Sequence, residues 1–122
     1  LCLMHLDEIK QALGIDRILN DSSAWRSRQD GHGTQIDLVI ERADRNINIC
    51  EMKFSGTPYI INADYERRLR ERIAIFRAET ATRCSTRMTM VTTYGVLPGK
   101  HSAIVDDEVT LDNLFTVTDD TK

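Results

Sequence analysis

Three ionisable side chains interrupt two neighbouring apolar segments of the chain. Asp37 lies within residues 36–40, and both Glu51 and Lys53 lie within residues 47–54. Charged groups are rarely buried without a partner, because removing them from water costs free energy. Carboxylate oxygens are ligands that hard divalent cations prefer, and a lysine beside such a cation can assist hydrolysis. These residue types therefore predict a divalent-metal site with a lysine beside it.

Strand pairing decides whether the three side chains can meet. Both segments are rich in β-branched residues, a composition typical of core strands. If residues 43–45 form the turn of a hairpin, Asp37 falls opposite Glu51. Lys53 shares the face of Glu51, because side chains alternate along a strand. Two facing carboxylates repel unless a cation lies between them, so this register predicts a divalent-metal site.

The order of these residues resembles that of a known superfamily. An Asp followed one strand later by Glu-x-Lys is similar to the PD-(D/E)xK phosphodiesterases, whose fold is that of restriction endonucleases. The run GTQIDLVIERADRNINICEMKFS, with the later MTMVTTYGV and EVTLDNLF, resembles the C-terminal domain of bacterial ATPases that carry an upstream P-loop AAA-like module. This similarity extends from Ile9 to Phe115. It implies one nuclease-like domain over residues 1–122, as a C-terminal fragment of a larger ATPase.

The resemblance also implies a role for each site residue. Asp37, Glu51 and the main-chain carbonyl of Met52 would hold Mg²⁺ or Mn²⁺, and Lys53 would orient the attacking water or stabilise the transition state. The alternative is purely electrostatic, with Lys53 or an arginine neutralising the carboxylates. Gln35 shares the face of Asp37, where it could contact a metal-bound water or simply form a hydrogen bond at the start of a strand.

One departure from the superfamily concerns a third acidic residue. Active members usually add a carboxylate from the first helix, and related domains carry it just upstream of where this chain begins. Asp7 and Glu8 lie beyond the matching position, so we expect this carboxylate to be missing. Mg²⁺ often takes only one or two protein carboxylates, so Asp37 and Glu51 alone predict weak metal binding.

Hydrophobic periodicity predicts the elements that must position the site. Gly14 is placed to end the first helix, and Asn62 or Asp64 to cap the second. Tyr65, Leu69, Ile73 and Phe76 form an apolar stripe on that second helix. The predicted order is αβββαβ, an α/β class with a restriction-endonuclease-like core of a central mixed sheet flanked by helices. The predicted segments are a helix over residues 3–13, strands at 24–28, 36–40 and 47–54, a helix from 65 to 76, a strand at 88–94, an edge strand within 104–109 and a helical turn at 111–115.

Composition limits the classes of protein that the chain can belong to. Its 122 residues suit one soluble domain, and no apolar run approaches the length of about 18 residues that a membrane span needs. Three cysteines, odd in number and without metal-type spacing, suit a reducing cytoplasm. Seven of the sixteen basic residues lie between Arg67 and Arg87. They form either a basic face or a solvated helix surface paired with Glu66, Glu71 and Glu79.

These observations leave two functions open, of which the first is the one that we expect. The first is a metal-dependent phosphodiesterase that acts on nucleic acid and is driven or gated by an upstream ATPase. The second keeps the nuclease fold for DNA binding or for regulation of the ATPase, without turnover. A domain that mediates only oligomer contacts would explain the fold, but it would leave Glu51 and Lys53 unexplained. The sequence does not distinguish DNA from RNA.

Overall fold

The computed structural model describes residues 6–27 and 34–110. Within them the chain forms a five-stranded mixed sheet in the order β1-β2-β3-β4-β5, with a helix on each face. The first three strands are antiparallel neighbours, and the last three are parallel neighbours. This confirms the α/β class and the restriction-endonuclease-like core. The elements are α1 (Leu6–Ala12), β1 (Asn20–Arg26), β2 (Gln35–Arg42), β3 (Asn46–Lys53), α2 (Ala63–Thr80), β4 (Ser85–Thr92) and β5 (Asp107–Thr110).

Two apolar clusters lie on the two faces of the sheet. The cluster on the α2 face joins that helix to alternate residues of the central strands, and the cluster on the α1 face joins α1 and the segment after it to the other alternate residues. Parallel central strands are usually covered on both faces, which explains why β3 is apolar on both sides. The buried members are Ile36, Val39, Ile47, Ile49, Ile61, Tyr65, Leu69, Phe76, Met88 and Met90 on the α2 face, and Ile9, Ile15, Leu38, Ile40, Cys50, Val91 and Val109 on the α1 face.

The β2–β3 hairpin has the register that the sequence predicted. Leu38 pairs with Cys50 and Glu41 pairs with Ile47, so residues 43–45 form the turn. Arg45 has a φ of 67°, a left-handed conformation that closes a short hairpin of this kind. The paired residues of the hairpin end at Leu38 and Cys50, so Asp37 and Glu51 each lie one residue beyond the last pair.

Helix α2 begins at the predicted cap and buries the predicted stripe, and it extends beyond that stripe to Thr80. Asn62 caps it, since its side-chain oxygen accepts a hydrogen bond from the main-chain nitrogen of Tyr65 at 2.8 Å. Tyr65, Leu69 and Phe76 are buried, and Ile73 packs half-buried against the same cluster. The outer face carries the predicted solvated charges, because Arg67, Arg68 and Arg70 are exposed, and pairs such as Arg70–Glu66 span one helical turn.

Three predicted boundaries were wrong. Strand β1 begins at Asn20 within a segment predicted as a loop, because an edge strand is held by main-chain pairing to β2 and tolerates polar side chains. Strand β4 covers Ser85–Thr92 and not residues 88–94. Ile104 ends a turn of 3-10 helix, and the edge strand begins after it at Asp107. The predicted helical turn at 111–115 lies outside the described residues.

Among the described helices, none combines the length and the apolar character that crossing a lipid bilayer requires.

Candidate active site at the end of the third strand

Glu51 occupies a buried position near the carboxyl end of β3. It follows Ile47 and Ile49 on the face that α2 covers, and its side chain is only 6% exposed. Lys53 lies two residues further along, half-buried, where the strand ends. The apolar alternation that folds β3 against α2 therefore also directs a carboxylate and an ammonium toward that helix.

Arg72 of α2 is the ion-pair partner of Glu51. Its Nη1 atom lies 2.7 Å from Oε1 of Glu51, and the arginine side chain is 30% exposed. The contact is short enough for a charge-assisted hydrogen bond, and such a bond contributes to the pKa values of both groups, but its geometry falls short of a well-aligned one in the described part of the chain. An ion pair without good hydrogen-bond geometry repays only part of the desolvation cost of its charges. Oε1 of Glu51 therefore has capacity for a further ligand.

Tyr65 adds a second buried oxygen without an aligned hydrogen bond. Its ring is buried under Tyr59, with ring centroids 5.5 Å apart in an edge-to-face contact. Among the described residues its hydroxyl has no well-aligned hydrogen bond, although Arg72 lies close enough to act on the pKa of Tyr65 and oppose its rise. The Nζ atom of Lys53 lies 5.1 Å from the centroid of the Tyr65 ring, within the range of a cation–π interaction. Buried polar atoms in folded proteins are nearly always satisfied, so two such oxygens in one place indicate a position for a water or a ligand.

The pKa shifts at this site follow from burial and from the neighbouring charges. Burial raises the pKa of Glu51, the guanidinium of Arg72 opposes the shift, the charge of Asp37 adds to it, and Lys53 opposes it. Burial raises the pKa of Tyr65 too, and the carboxylate of Glu51 raises it further. Burial alone would lower the pKa of Arg72, but the combined effect of Glu51, Tyr65 and Asp37 outweighs burial and raises it. The four side chains, together with Asp37, thus form one electrostatic unit.

Asp37 lies at an irregularity of β2 and is exposed. Two residues of β2, Asp37 and Leu38, stand opposite the single residue Ala24 of β1, which is the pattern of a β-bulge. The bulge breaks the alternation, because Ile36 and Val39, three residues apart, both join the cluster on the α2 face. Asp37 is solvent-exposed, so the expectation that it bears a burial cost was wrong. Its charge still acts on both Glu51 and Arg72.

The remaining predicted residues divide between the site and its surroundings. Met52 pairs with Val91 in the ladder between β3 and β4, and its side chain packs on the α1 face, which leaves only its main-chain carbonyl as a candidate ligand. Gln35 begins β2 and accepts a hydrogen bond from Nη2 of Arg26 at 3.1 Å, the role of a hydrogen-bonding residue at a strand start. Over residues 6–27 and 34–110, no group of three histidine, cysteine or acidic residues could hold a metal ion.

Arg72 is the site residue that sequence reasoning missed. It was grouped with the solvated arginines of α2, although it lies seven residues after Tyr65 and three after Leu69. That spacing returns to the same face of a helix, so Arg72 belongs to the stripe that packs on the sheet. A basic residue at a position of an apolar stripe was the signal that could have identified it.

The residues present fit a divalent cation in part. Oε1 of Glu51 and the carboxylate of Asp37, whose charge acts on Glu51, are hard oxygen donors of the kind that Mg²⁺ and Mn²⁺ prefer. Arg72 and Lys53 lie at the same site and bring positive charge that opposes a cation. The donor set is sufficient for a weak site in which water supplies most ligands.

The comparisons with known proteins establish the fold. No protein-family model and no curated protein matches the chain. A solved crystal structure, described as a protein of unknown function, AF1548, is similar to it with a TM-score of 0.60 and 14% sequence identity. The similarity covers 96% of this chain and 67% of that protein. At this level of identity the similarity concerns the arrangement of helices and strands, and the chemistry must be argued from the side chains.

Proposed function

We propose that this domain is a divalent-metal-dependent phosphodiesterase that acts on nucleic acid. The observation that carries the proposal is a buried carboxylate, Glu51, whose Oε1 is paired with Arg72 without a well-aligned hydrogen bond. A second carboxylate, that of Asp37, acts on it electrostatically, and a lysine lies two residues further along the strand. A structural carboxylate would normally have all its buried oxygens satisfied.

The side chains of the site have separable roles in this proposal. Asp37, Glu51 and the carbonyl of Met52 would hold Mg²⁺ or Mn²⁺, which polarises a phosphodiester and activates water when bound. Lys53, held over the ring of Tyr65, would donate a hydrogen bond to the oxygen that gains negative charge at phosphorus. Burial under α2 excludes water and strengthens that interaction.

A second candidate function rests on the ion pair between Glu51 and Arg72. If Arg72 permanently neutralises Glu51, the site needs no metal, and the fold serves as a nucleic-acid-binding or regulatory module without turnover. In either case the resemblance predicts one domain attached to an upstream ATPase, and the three cysteines without metal-type spacing predict a location in the cytoplasm. Measuring whether the protein binds and uses a divalent metal would separate the two candidates.

Metal binding and cleavage of supercoiled plasmid are the tests of this proposal. We expect the protein to bind Mn²⁺ in a calorimetric titration and to nick plasmid DNA in Mg²⁺ or Mn²⁺, and we expect Asp37→Asn to weaken the binding and abolish the nicking. Glu41→Gln is the matched control, because Glu41 is an exposed carboxylate on the same strand. Absence of both Mn²⁺ binding and nicking in the wild type would leave the non-catalytic module as the function.

A further inference from the structure

The formal charges of the four charged side chains at the site sum to zero. Asp37 and Glu51 carry one negative charge each, and Lys53 and Arg72 one positive charge each. A divalent cation added to this arrangement would leave two uncompensated positive charges in a partly buried site, which is costly. A phosphodiester added without a cation would leave one uncompensated negative charge. Each ligand therefore offsets part of the electrostatic cost of the other.

Arg72 is the group that must move when a cation binds to Glu51. Its Nη1 atom lies 2.7 Å from Oε1 of Glu51, the oxygen that is the candidate metal ligand. A cation and a guanidinium cannot both occupy that position. Arg72 is anchored on a packed helix, yet its side chain is 30% exposed, so its guanidinium has access to solvent. It can turn away from Glu51 without moving the helix.

We propose that Arg72 is a phosphodiester-binding residue that exchanges its ion pair with Glu51 for the substrate phosphate when a divalent cation binds. This inference rests on the proposed function and specifies its regulation. The planar guanidinium matches the two non-bridging oxygens of a phosphodiester, so the arginine loses a carboxylate partner and gains an anionic one of similar geometry. Cation and phosphodiester then bind cooperatively, and free metal binds more weakly until substrate arrives.

The exchange predicts a measurable coupling between two ligands. We expect dimethyl phosphate, a phosphodiester that resists hydrolysis, to tighten Mn²⁺ binding by about tenfold relative to the same concentration of sodium chloride, a typical coupling between linked sites. Free Mn²⁺ is measured by electron paramagnetic resonance during a titration of the full chain. By reciprocity, Mn²⁺ must tighten dimethyl phosphate binding by the same factor.

Substitution of Arg72 tests whether this residue carries the coupling. In Arg72→Gln, Mn²⁺ should bind about tenfold more tightly than in the wild type without phosphodiester, and dimethyl phosphate should no longer change the affinity. Arg68→Gln is the matched control, since it removes the same charge from an exposed position of the same helix and should behave as the wild type. Equal Mn²⁺ affinity and equal coupling in the two variants would overturn the inference.

A second variant keeps the test decisive if Arg72→Gln does not fold. Arg72→Lys retains a counter-charge for Glu51, but a lysine cannot hold a phosphodiester through two parallel hydrogen bonds. Its coupling should fall at least about threefold, and an unchanged coupling would also overturn the inference. Mn²⁺ binding and nicking with normal coupling in every variant would refute the role of Arg72 alone. No Mn²⁺ binding by any variant would refute the proposed function together with it.

Discussion

Strand β3 carries two polar clusters, one near each end, and they differ in how well their atoms are satisfied. Near the start of the strand, the side-chain nitrogen of buried Asn48 donates hydrogen bonds to Oγ1 of Thr89 at 3.0 Å and to Oδ2 of Asp107 at 3.2 Å. Its oxygen accepts one from Nη1 of Arg42 at 3.1 Å. This Asn48 cluster faces α1. The Glu51 cluster, near the other end, faces α2.

Ion pairs show the same contrast. Arg87 holds Asp107 of the Asn48 cluster through two parallel contacts of 2.8 and 3.0 Å, the strong bidentate geometry. Among the described residues, the Asn48 cluster has one buried orphan, Nε of Arg42, near the orphaned Oδ1 of Asn20 on the neighbouring strand. A water between these two atoms would satisfy both.

The difference separates structural polar groups from functional ones. In the Asn48 cluster the hydrogen bonds connect β3, β4 and β5, so its charges fix strand positions. In the Glu51 cluster the buried oxygens of Glu51 and Tyr65 lack aligned donors from the part of the chain that the structure describes. Such a deficit is rare in a folded core, so each of these atoms calls for a water or a ligand, and at the Glu51 cluster it adjoins ionisable groups that could bind one. The predictions below test whether the two clusters differ in function as they differ in geometry.

The largest effect on stability should come from Leu69, the buried apolar residue that lies between Tyr65 and Arg72 on the inner face of α2. Leu69 is fully buried between them on the inner stripe, so Leu69→Ala should lower the free energy of unfolding by about 2 to 5 kcal/mol. Urea denaturation measures the loss, with Arg68→Ala as an exposed control. A loss below about half a kcal/mol would mean that the stripe does not support the Glu51 cluster.

Lys53 should give the next largest effect, and it should appear in catalysis. Lys53→Met keeps the aliphatic contact with Tyr65 but removes the charge, and we expect plasmid nicking to fall by about a hundredfold or more, equal to about 2.7 kcal/mol in the barrier. Mn²⁺ affinity should be retained or become higher, because the charge that is removed opposes the cation. The exposed Lys100→Met is the control. Unchanged nicking would reduce Lys53 to a neutralising partner of the carboxylates.

Asn48 should affect stability and leave metal binding unchanged, whereas Lys53 should affect catalysis. Asn48→Ala leaves the partners of a buried amide unsatisfied, so the free energy of unfolding should fall by about 1 to 3 kcal/mol. Mn²⁺ affinity should remain that of the wild type, because this cluster lies on the other face of the sheet. If a folded Asn48→Ala protein lost metal binding, the conclusion that the Asn48 cluster is purely structural would be wrong.

The same two clusters show which parts of the fold and of the site the sequence could predict. The order of elements, the hairpin register and the inner stripe of α2 all followed from periodicity, because burial on one face imposes a repeat that the sequence must carry. Asp37, Glu51 and Lys53 stood out because they are charged residues in apolar strands. The Asn48 cluster gave no such signal, since its contacts join residues far apart in the chain, such as Asn48 and Asp107.

Two features of the Glu51 cluster could not be predicted from the sequence pattern. The bulge at Asp37 is a mismatch between neighbouring strands, so it exists only in the pairing of β1 with β2 and leaves no trace in the alternation of β2 alone. Arg72 appeared as one arginine among many on α2. Its helical phase placed it on the buried face, but its role became evident only when β3 brought Glu51 to within 2.7 Å.

Glu51→Gln should have the smallest effect on stability and is the sharpest test of the comparison. Burial raises the pKa of Glu51 above its ordinary value of 4.5, so the folded protein holds this proton more tightly than the unfolded chain does. Stability attributable to Glu51 is therefore fully present below that ordinary value and is lost as the pH rises through the folded pKa. A glutamine side chain cannot titrate, so the variant should lack this part of the pH dependence.

At neutral pH we expect the variant to unfold with a free energy within about 1 kcal/mol of the wild type, equal or slightly higher, and to lose Mn²⁺ binding. Arg72 would lose its partner, but its exposed fraction lets the guanidinium turn to water. Urea denaturation between acidic and neutral pH measures both effects, and Glu41→Gln is the control. A clear loss of stability at neutral pH with an unchanged Mn²⁺ response would show that the Glu51–Arg72 pair is structural, like the Asn48 cluster.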